Sequence, residues 1–553
     1  MTLSSSAEVR PRPPDARRPA IASRSWRRRA PGAARWAAAL AGLAAITAYL
    51  VVAVDRAGYP FALEWLEGNS LVEVHRVLAG QPLYPAPAAG YVPDGYPPLY
   101  FAVSAVAARV AGVSYLTLRL VSLASSIACF ALLARLVQRE TGSAAAGLAA
   151  AGVFAATYSA TDTWFDVGRV DSLFLALSIG GLYAARWMRG APGAVAAGAL
   201  LAAAALTKQT GLVEGVAVAV TLLAGSRRRL GCIAALTQLT VLGVSTLVLA
   251  LTTGGWYLYY VFQLMGEHPL TASSFGGFWT SLATALGLAA AAALIGARRV
   301  PRVLLAGCAA LAAEGYAALV HSGGGVNDLL PAYLAVALLA GLAVGSRPAW
   351  RPVAAGLLVT AQTALLLTGW HPSTAIPTPA DRSVGGQLAA GIRAFGGTVA
   401  VPDDPGLSLL AGVTPTAHQD ATYDVLRGTD QAAIASFRGS AESALAARRF
   451  SAIITGDAKP PFGNPPALGR YYRLCPQPLL AGVPGGAFVP VAGPGLRPSR
   501  VWLPRGGGSC ASHHRGWGAL RPGGEGRRAR SDHRRLRRDV HRRAVRVRRP
   551  GSR

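Results

Sequence analysis

Glu64 and Glu67 stand three residues apart in a chain that has 26 acidic residues against 54 Lys and Arg. They belong to one stretch, Phe61 to Tyr100 (FALEWLEGNSLVEVHRVLAGQPLYPAPAAGYVPDGYPPLY), which also carries Glu73 and Asp94. A helix beginning near Glu67 places Leu71, Val74 and Leu78 on one stripe with Glu67 at its head. A carboxylate accepts a proton only while ionised; a helix amino terminus or a nearby cation keeps it so, and burial opposes it. Glu67 is therefore the first candidate for a general base and Glu64, one turn earlier, the second. The plainer alternative is an interfacial helix whose first-turn acid complements the helix dipole.

Other polar stretches offer partners. TDTWFDVGRVDS (161–172) holds Asp162, Asp166, Arg169 and Asp171. Asp171 with Ser172 also suits a helix cap, and Arg169 a snorkelling role at a membrane surface. LTKQTG (206–211) holds Lys208 and Gln209, and a lysine ending an apolar run asks for a partner anion. GEHPL (266–270) holds His268, and HSGGGVNDLLP (321–331) holds His321, Asn327 and Asp328. Lone loop histidines are more often structural, and no HxxxH or CxxC spacing points to a metal. No metal site and no cofactor is read from these residues, although a divalent ion stays compatible with the acids.

A membrane is what positions them. The chain is 52% hydrophobic and 14% charged, with a mean hydropathy of +0.35, whereas soluble proteins carry about a quarter charged residues. Apolar runs near 36–54, 116–137, 143–160, 171–188, 191–207, 210–225, 232–252, 278–296, 302–320, 330–345 and 352–369 approach the roughly 20 residues that cross a bilayer. The first of these lacks a small-residue cleavage site and reads as a retained anchor. A further run, Pro97 to Val113, is assigned by charge. The basic connectors are Arg135 to Arg139, Arg186 to Arg189, Arg227 to Arg229, Arg298 to Arg302 and Arg347 to Arg351. If 97–113 lies in the interface without crossing, all of them share the side of the basic amino terminus. The expected fold is thus an all-α polytopic membrane protein of about eleven spans, amino terminus inside and carboxy terminus outside. EWLEGNS, TDTWFDVGRVDS, LTKQTG, GEHPL and HSGGGVNDLLP then all face outward, and that convergence is the argument for a site.

The net charge of +28 is not a nucleic-acid signal. Residues 1–35 form a basic inward flank, and residues 505–553 an Arg-rich tail without apolar periodicity, expected to be disordered. These ends supply most of the excess. Between the membrane part (36–370, with its outward loop at 55–115) and the tail, residues 371–504 have ordinary polarity. Strands are expected at Gly397–Val401 and Arg449–Thr455 and helices at Ser383–Phe395 and Gly439–Arg448, giving a small extracytoplasmic α/β domain. Cys129, Cys232 and Cys308 lie in apolar runs as small core residues, while Cys475 and Cys510 can pair in an oxidising compartment.

The order of these features resembles the GT-C membrane glycosyltransferases, in the branch of the protein O-mannosyltransferases and the aminoarabinose transferase of lipid A. Glu67 falls where those enzymes carry the acid of their first outward loop, although Leu66 precedes it in place of a second acid, which keeps Glu64 in view. Tyr96-Pro97-Pro98-Leu99 is similar to the family's His-Pro-Pro-Leu, Asp171 to the acid of the second outward loop, Thr207-Lys208 to a Thr-Lys motif, and Asn327 to Pro331 to a Tyr-Leu-Leu-Pro segment. The resemblance implies a polyprenyl-phosphate-linked sugar as donor and a lipid, glycan or protein as acceptor, at the outer face of the cytoplasmic membrane. Arg169 and Lys208 would then clamp the leaving phosphate, with Gln209, Tyr96, His268, Asn327 and Asp328 lining the substrate. Glu67 would take the acceptor proton in an inverting displacement, and Asp171 and Asp166 would orient the clamp or the sugar. The rivals are a secondary transporter or lipid flippase, kept in play by Glu214 and Glu314 within apolar runs, and a non-catalytic scaffold.

Overall fold

The computed structural model describes residues 20–507 and 510, apart from 297–299, 457–459, 477–478, 481–482 and 484–485. The first 19 residues, Arg298 and the tail beyond Cys510 lie outside the described residues.

Helix α1 (Ala20–Ala57) leads into a loop that carries α2 (Glu67–Leu78) and α3 (Leu99–Ala111). The bundle continues with α4 (Tyr115–Thr141), α5 (Ala144–Ala156), α6 (Asp171–Trp187), α7 (Gly190–Thr207), α8 (Gly211–Ala224) and α9 (Arg228–Thr252). Two short pieces, α10 (Trp256–Leu258) and α11 (Leu264–Glu267), flank a π-turn before α12 (Ala272–Gly296), α13 (Arg302–Val320), α14 (Leu330–Val344) and α15 (Trp350–Thr368). Every run expected to span is helical. Among the described residues eight helices are long and apolar enough to cross a membrane, and α3, α5 and α8 are shorter apolar ones.

Helices in lipid gain little from hydrophobic burial and depend on close approach at small residues. α5 illustrates this. Its sequence, AAAGLAAAGVFAA, buries nearly every residue, and a Cβ at Gly152 would overlap the Gly42 backbone of α1. Gly152→Val is expected to pry α1 from α5 and lower the thermal midpoint of the detergent-purified protein by several degrees. An unchanged midpoint in a fluorescence melt would refute that packing.

The two ends of the bundle differ in charge. At one end Arg35 reaches the Val344 carbonyl at 3.1 Å, Arg186 pairs with Glu140 at 2.7 Å, and Arg227 donates to the Met188 carbonyl at 3.4 Å. This gathers four of the basic connections between helices. The opposite end holds Lys208 between acids, and the carboxy-terminal α/β domain rests there.

That domain has a four-stranded sheet in the order β1 (Thr398–Ala400), β2 (Phe450–Thr455), β4 (Arg500–Pro504), β3 (Tyr472–Leu474). β1 and β2 are parallel, as the intervening helices require; β4 runs antiparallel to both its neighbours. Its helices are α16 (Pro379–Phe395), α17 (Pro405–Leu410), α18 (Gln419–Arg427), α19 (Gln431–Ala446) and α20 (Pro466–Tyr471). Two of them begin earlier than their apolar pattern indicates: a Thr378/Asp381 capping box starts α16, and Asp430 caps α19. β3 and β4 were not expected from the sequence, being short and broken by Pro and Arg.

Cys475 and Cys510 form a disulfide, with Cα atoms 5.7 Å apart. Cys510 lies past the expected boundary at residue 504 and is tied back to the domain by this bond. Cys129 and Cys308 are buried as expected, but Cys232 is exposed. It lies on α9, whose Leu236, Leu239, Val244 and Leu247 also face outward. That helix presents an apolar face with no described residue packed over it, as a lipid-facing helix does.

Candidate active site

Glu67 opens α2 and is fully buried. Its Oε1 accepts from Arg119 Nε at 3.0 Å and from the Gly168 amide at 2.6 Å. Its Oε2 accepts from Arg119 Nη2 at 2.7 Å and from the Leu63 amide at 2.7 Å. Burial pushes the carboxyl pKa up, but the Arg119 charge and these bonds outweigh it and hold Glu67 below the usual range. Arg119 also donates to the carbonyls of Tyr59 and Phe61. The pair ties α2, α4 and the loop before α6 together. Both oxygens of Glu67 are thus committed to bonds within the scaffold.

Glu64 is the opposite case. It is fully buried, and Oε2 accepts only from the Leu66 amide at 3.0 Å. Arg169 Nε lies 3.9 Å from that oxygen. Among the described residues, neither Glu64 Oε1 nor Arg169 Nε has a hydrogen-bond partner. Burial raises the Glu64 pKa to about 8, with Arg169 opposing. Arg169 is held in place by Asp94, which accepts from Nη1 at 3.0 Å, and by the Tyr96 ring 5.3 Å beneath it. Asp94 is fixed in turn by Asn69 Nδ2 at 2.7 Å, and its amide donates to Glu73 at 2.8 Å.

Lys208 forms the second half. Its Nζ donates to Asp171 Oδ1 at 2.9 Å and to Asp328 Oδ1 at 3.0 Å. Burial works against its charge, but Asp171 and then Asp328 outweigh burial and keep it protonated. Trp164 Nε1 donates to the other oxygen of Asp171 at 2.8 Å, Asn327 Nδ2 approaches Oδ1 at 3.5 Å, and the Gly325 amide donates to Asp328 at 2.9 Å. Gln209 links the halves: its Nε2 donates to the Gly95 carbonyl at 2.8 Å, next to Asp94 and Tyr96. Glu64, Tyr96, Arg169, Asp171, Lys208, Gln209, Asn327 and Asp328 therefore gather at one end of the bundle.

Two predicted residues stand elsewhere. Asp166 receives Arg56 on both oxygens, at 2.8 and 2.7 Å, and Tyr158 at 2.7 Å, in a buried ion pair that anchors the end of α1. Its acceptor capacity goes to that anchor rather than to a clamp. His268 bonds the Asp424 carbonyl at 3.0 Å and sits beside Arg427 and His321, bracing α11 against α18. Asp171 is not a cap either: Val170 precedes α6 and no side chain caps it.

Sequence reasoning missed Arg119, the partner of Glu67. The signal was present, since a lone charge inside an apolar run (YLTLRLVSL) needs an internal partner. Asp94 was noticed as an acid, but no spacing rule links it to Arg169. Among the described residues no three His, Cys, Asp or Glu are grouped as metal ligands are.

No protein-family model matches the chain, and no curated protein matches it. Among solved structures, ArnT from Cupriavidus metallidurans is similar in its apo state, at 13% identity and a TM-score of 0.52. The same protein bound to undecaprenyl phosphate is similar at 13% identity and a TM-score of 0.51. Each comparison covers 84% of this chain and 97% of ArnT. Identity this low speaks for architecture alone: the chain shares the overall fold of those two ArnT structures.

Proposed function

We propose that the chain transfers a sugar from a polyprenyl-phosphate donor to an extracytoplasmic acceptor, at the outer face of the cytoplasmic membrane. The observation that carries this is the buried pair Glu64 Oε1 and Arg169 Nε, neither hydrogen-bonded among the described residues, at the same end of the bundle as the paired Lys208. An unmet buried polar group costs about 1–3 kcal/mol, and a polar substrate between these groups would offset it. The similar ArnT structure bound to undecaprenyl phosphate supports the donor class.

The residues divide the work as follows. Lys208 and Arg169 bind the phosphate oxygens that gain charge as the anomeric carbon–oxygen bond breaks. Asp171 and Asp328 aim Lys208; Asp94 and Tyr96 aim Arg169. Glu64 takes the proton from the acceptor hydroxyl as its oxygen attacks the anomeric carbon from the opposite face, which inverts that carbon. The polyprenyl phosphate leaves along the apolar helices. Gly493 stands against Glu64, where a Cβ would lie 3.1 Å from Oε1.

Lys208→Gln is expected to cut transfer from radiolabelled polyprenyl-phosphate sugar by fiftyfold or more in membranes, mainly through donor KM, while Lys208→Arg retains part of it. Transfer by Lys208→Gln at the wild-type rate would remove the clamp. The transport reading has its own observation, the Glu214 amide donating to Glu314 at 3.2 Å inside the bundle. It would gain if labelled lipid crossed proteoliposomes while no sugar was transferred.

A further inference from the structure

Besides Gly493, the carboxy-terminal domain brings an imidazole to the site. His418, just before α18, is fully buried, and its ring centroid lies 5.2 Å from that of Trp65, the neighbour of Glu64. Its Nδ1 accepts the Asp420 amide at 3.1 Å. A ring nitrogen that accepts carries no proton, so the neutral imidazole bears its hydrogen on Nε2. Burial holds the ring neutral, against the pull of Asp94 and Asp420. Nε2 has no hydrogen-bond partner among the described residues, although the Trp65 backbone lies close by. The same short stretch leaves the hydroxyls of Thr416 and Thr422 buried and unpaired.

This chemistry is specific. His418 cannot serve as a base, because its proton-free nitrogen is occupied by an amide. What it presents is a fixed N–H donor, unpartnered by hydrogen-bond geometry among the described residues, beside the backbone and half-buried indole of Trp65 and within the electrostatic reach of Arg169 and Asp94. A flat apolar wall with one oriented donor suits a sugar ring, whose C–H face packs on the indole while a hydroxyl oxygen accepts.

Resting on the glycosyl-transfer reading, we infer that His418 donates its Nε2–H to a hydroxyl oxygen of a sugar ring held against Trp65, so that the outer domain supplies part of the sugar-binding site. The ring could belong to the donor or to a glycan acceptor; the chemistry of recognition is the same.

The test titrates the full-length protein in nanodiscs with decaprenyl phosphate and with decaprenyl-phosphoryl mannose, glucose and arabinose. It compares wild type, His418→Phe and His418→Gln, and also measures transfer to octyl mannoside. His418→Phe keeps a ring in place without the donor, and His418→Gln returns an N–H near the Nε2 position. If the ring is the donor's, wild type binds one sugar-bearing lipid about tenfold tighter than the sugarless lipid. His418→Phe then loses that preference at unchanged affinity for decaprenyl phosphate, and His418→Gln restores much of it. If the ring is the acceptor's, His418→Phe keeps the lipid preference and raises the KM for octyl mannoside about tenfold, again with rescue by Gln. His418→Phe indistinguishable from wild type in both arms overturns the inference and leaves the donor reading standing. Failure of wild type to bind any of the lipids overturns the donor reading, and this inference with it.

Discussion

Glu64→Gln is expected to lower sugar transfer by at least a hundredfold while the protein stays folded, since a positioned general base contributes roughly 10²–10⁴. The substitution keeps the shape and removes the proton acceptor. The groups that act on Glu64 are Arg169, which lowers its pKa, and Glu67 and Asp94, which raise it; burial dominates and sets it at about 8. The wild-type rate should therefore climb about tenfold per pH unit below 8 and level off above it. Initial rates from pH 6 to 9 check this, and a profile that is flat across that range excludes Glu64 as the base. Linkage gives a second sign. Because the folded pKa lies above the ordinary 4.5, the protonated carboxyl stabilises the fold fully below 4.5, and that contribution is lost as the pH rises through 8.

Arg119→Met is expected to have the largest effect on stability. Arg119 and Glu67 are each essentially buried and bonded at 2.7 Å. Removing one partner of such a pair leaves an uncompensated charge and costs about 3–5 kcal/mol. The loss should appear as a lower thermal midpoint and a poor yield of folded protein. Arg119→Met with Glu67→Gln should recover at least half of it, because the second change removes the stranded charge. A double variant no more stable than Arg119→Met would show that the pair is not coupled. Its pH sign is opposite to that of Glu64: Glu67 is held below its ordinary pKa, so its contribution is present above that value and lost as the pH falls below it.

These two residues also show what the sequence could and could not convey. The helices were legible because apolar runs in lipid have few other solutions, and α2 begins at Glu67 as its stripe indicates. The charge pattern of the connectors gathered Arg169, Asp171 and Lys208 at one end without any contact information. The choice between Glu64 and Glu67 was not legible, because it depends on an arginine more than 50 positions away at Arg119 and on a backbone amide at Gly168. Periodicity favoured the acid on the stripe. The stripe faces the interior, and in the interior that acid is the one most fully paired. Asp166 misled for a related reason: motif proximity to Arg169 said nothing of Arg56, which claims it. His418 was beyond reach, since it lies in an ordinary polar stretch and meets Trp65 only in the folded chain.

The segment that closes over Glu64 has a consequence for biogenesis. Ala492 donates its amide to the Leu63 carbonyl at 2.9 Å, Glu64 and Ala492 form a parallel bridge, and the Gly493 amide is bonded by Asp162. These residues are made after every helix of the bundle has left the ribosome. A growing chain thus carries these charged groups in an open cleft until residues 492 and 493 have been made, and only then is the cleft sealed.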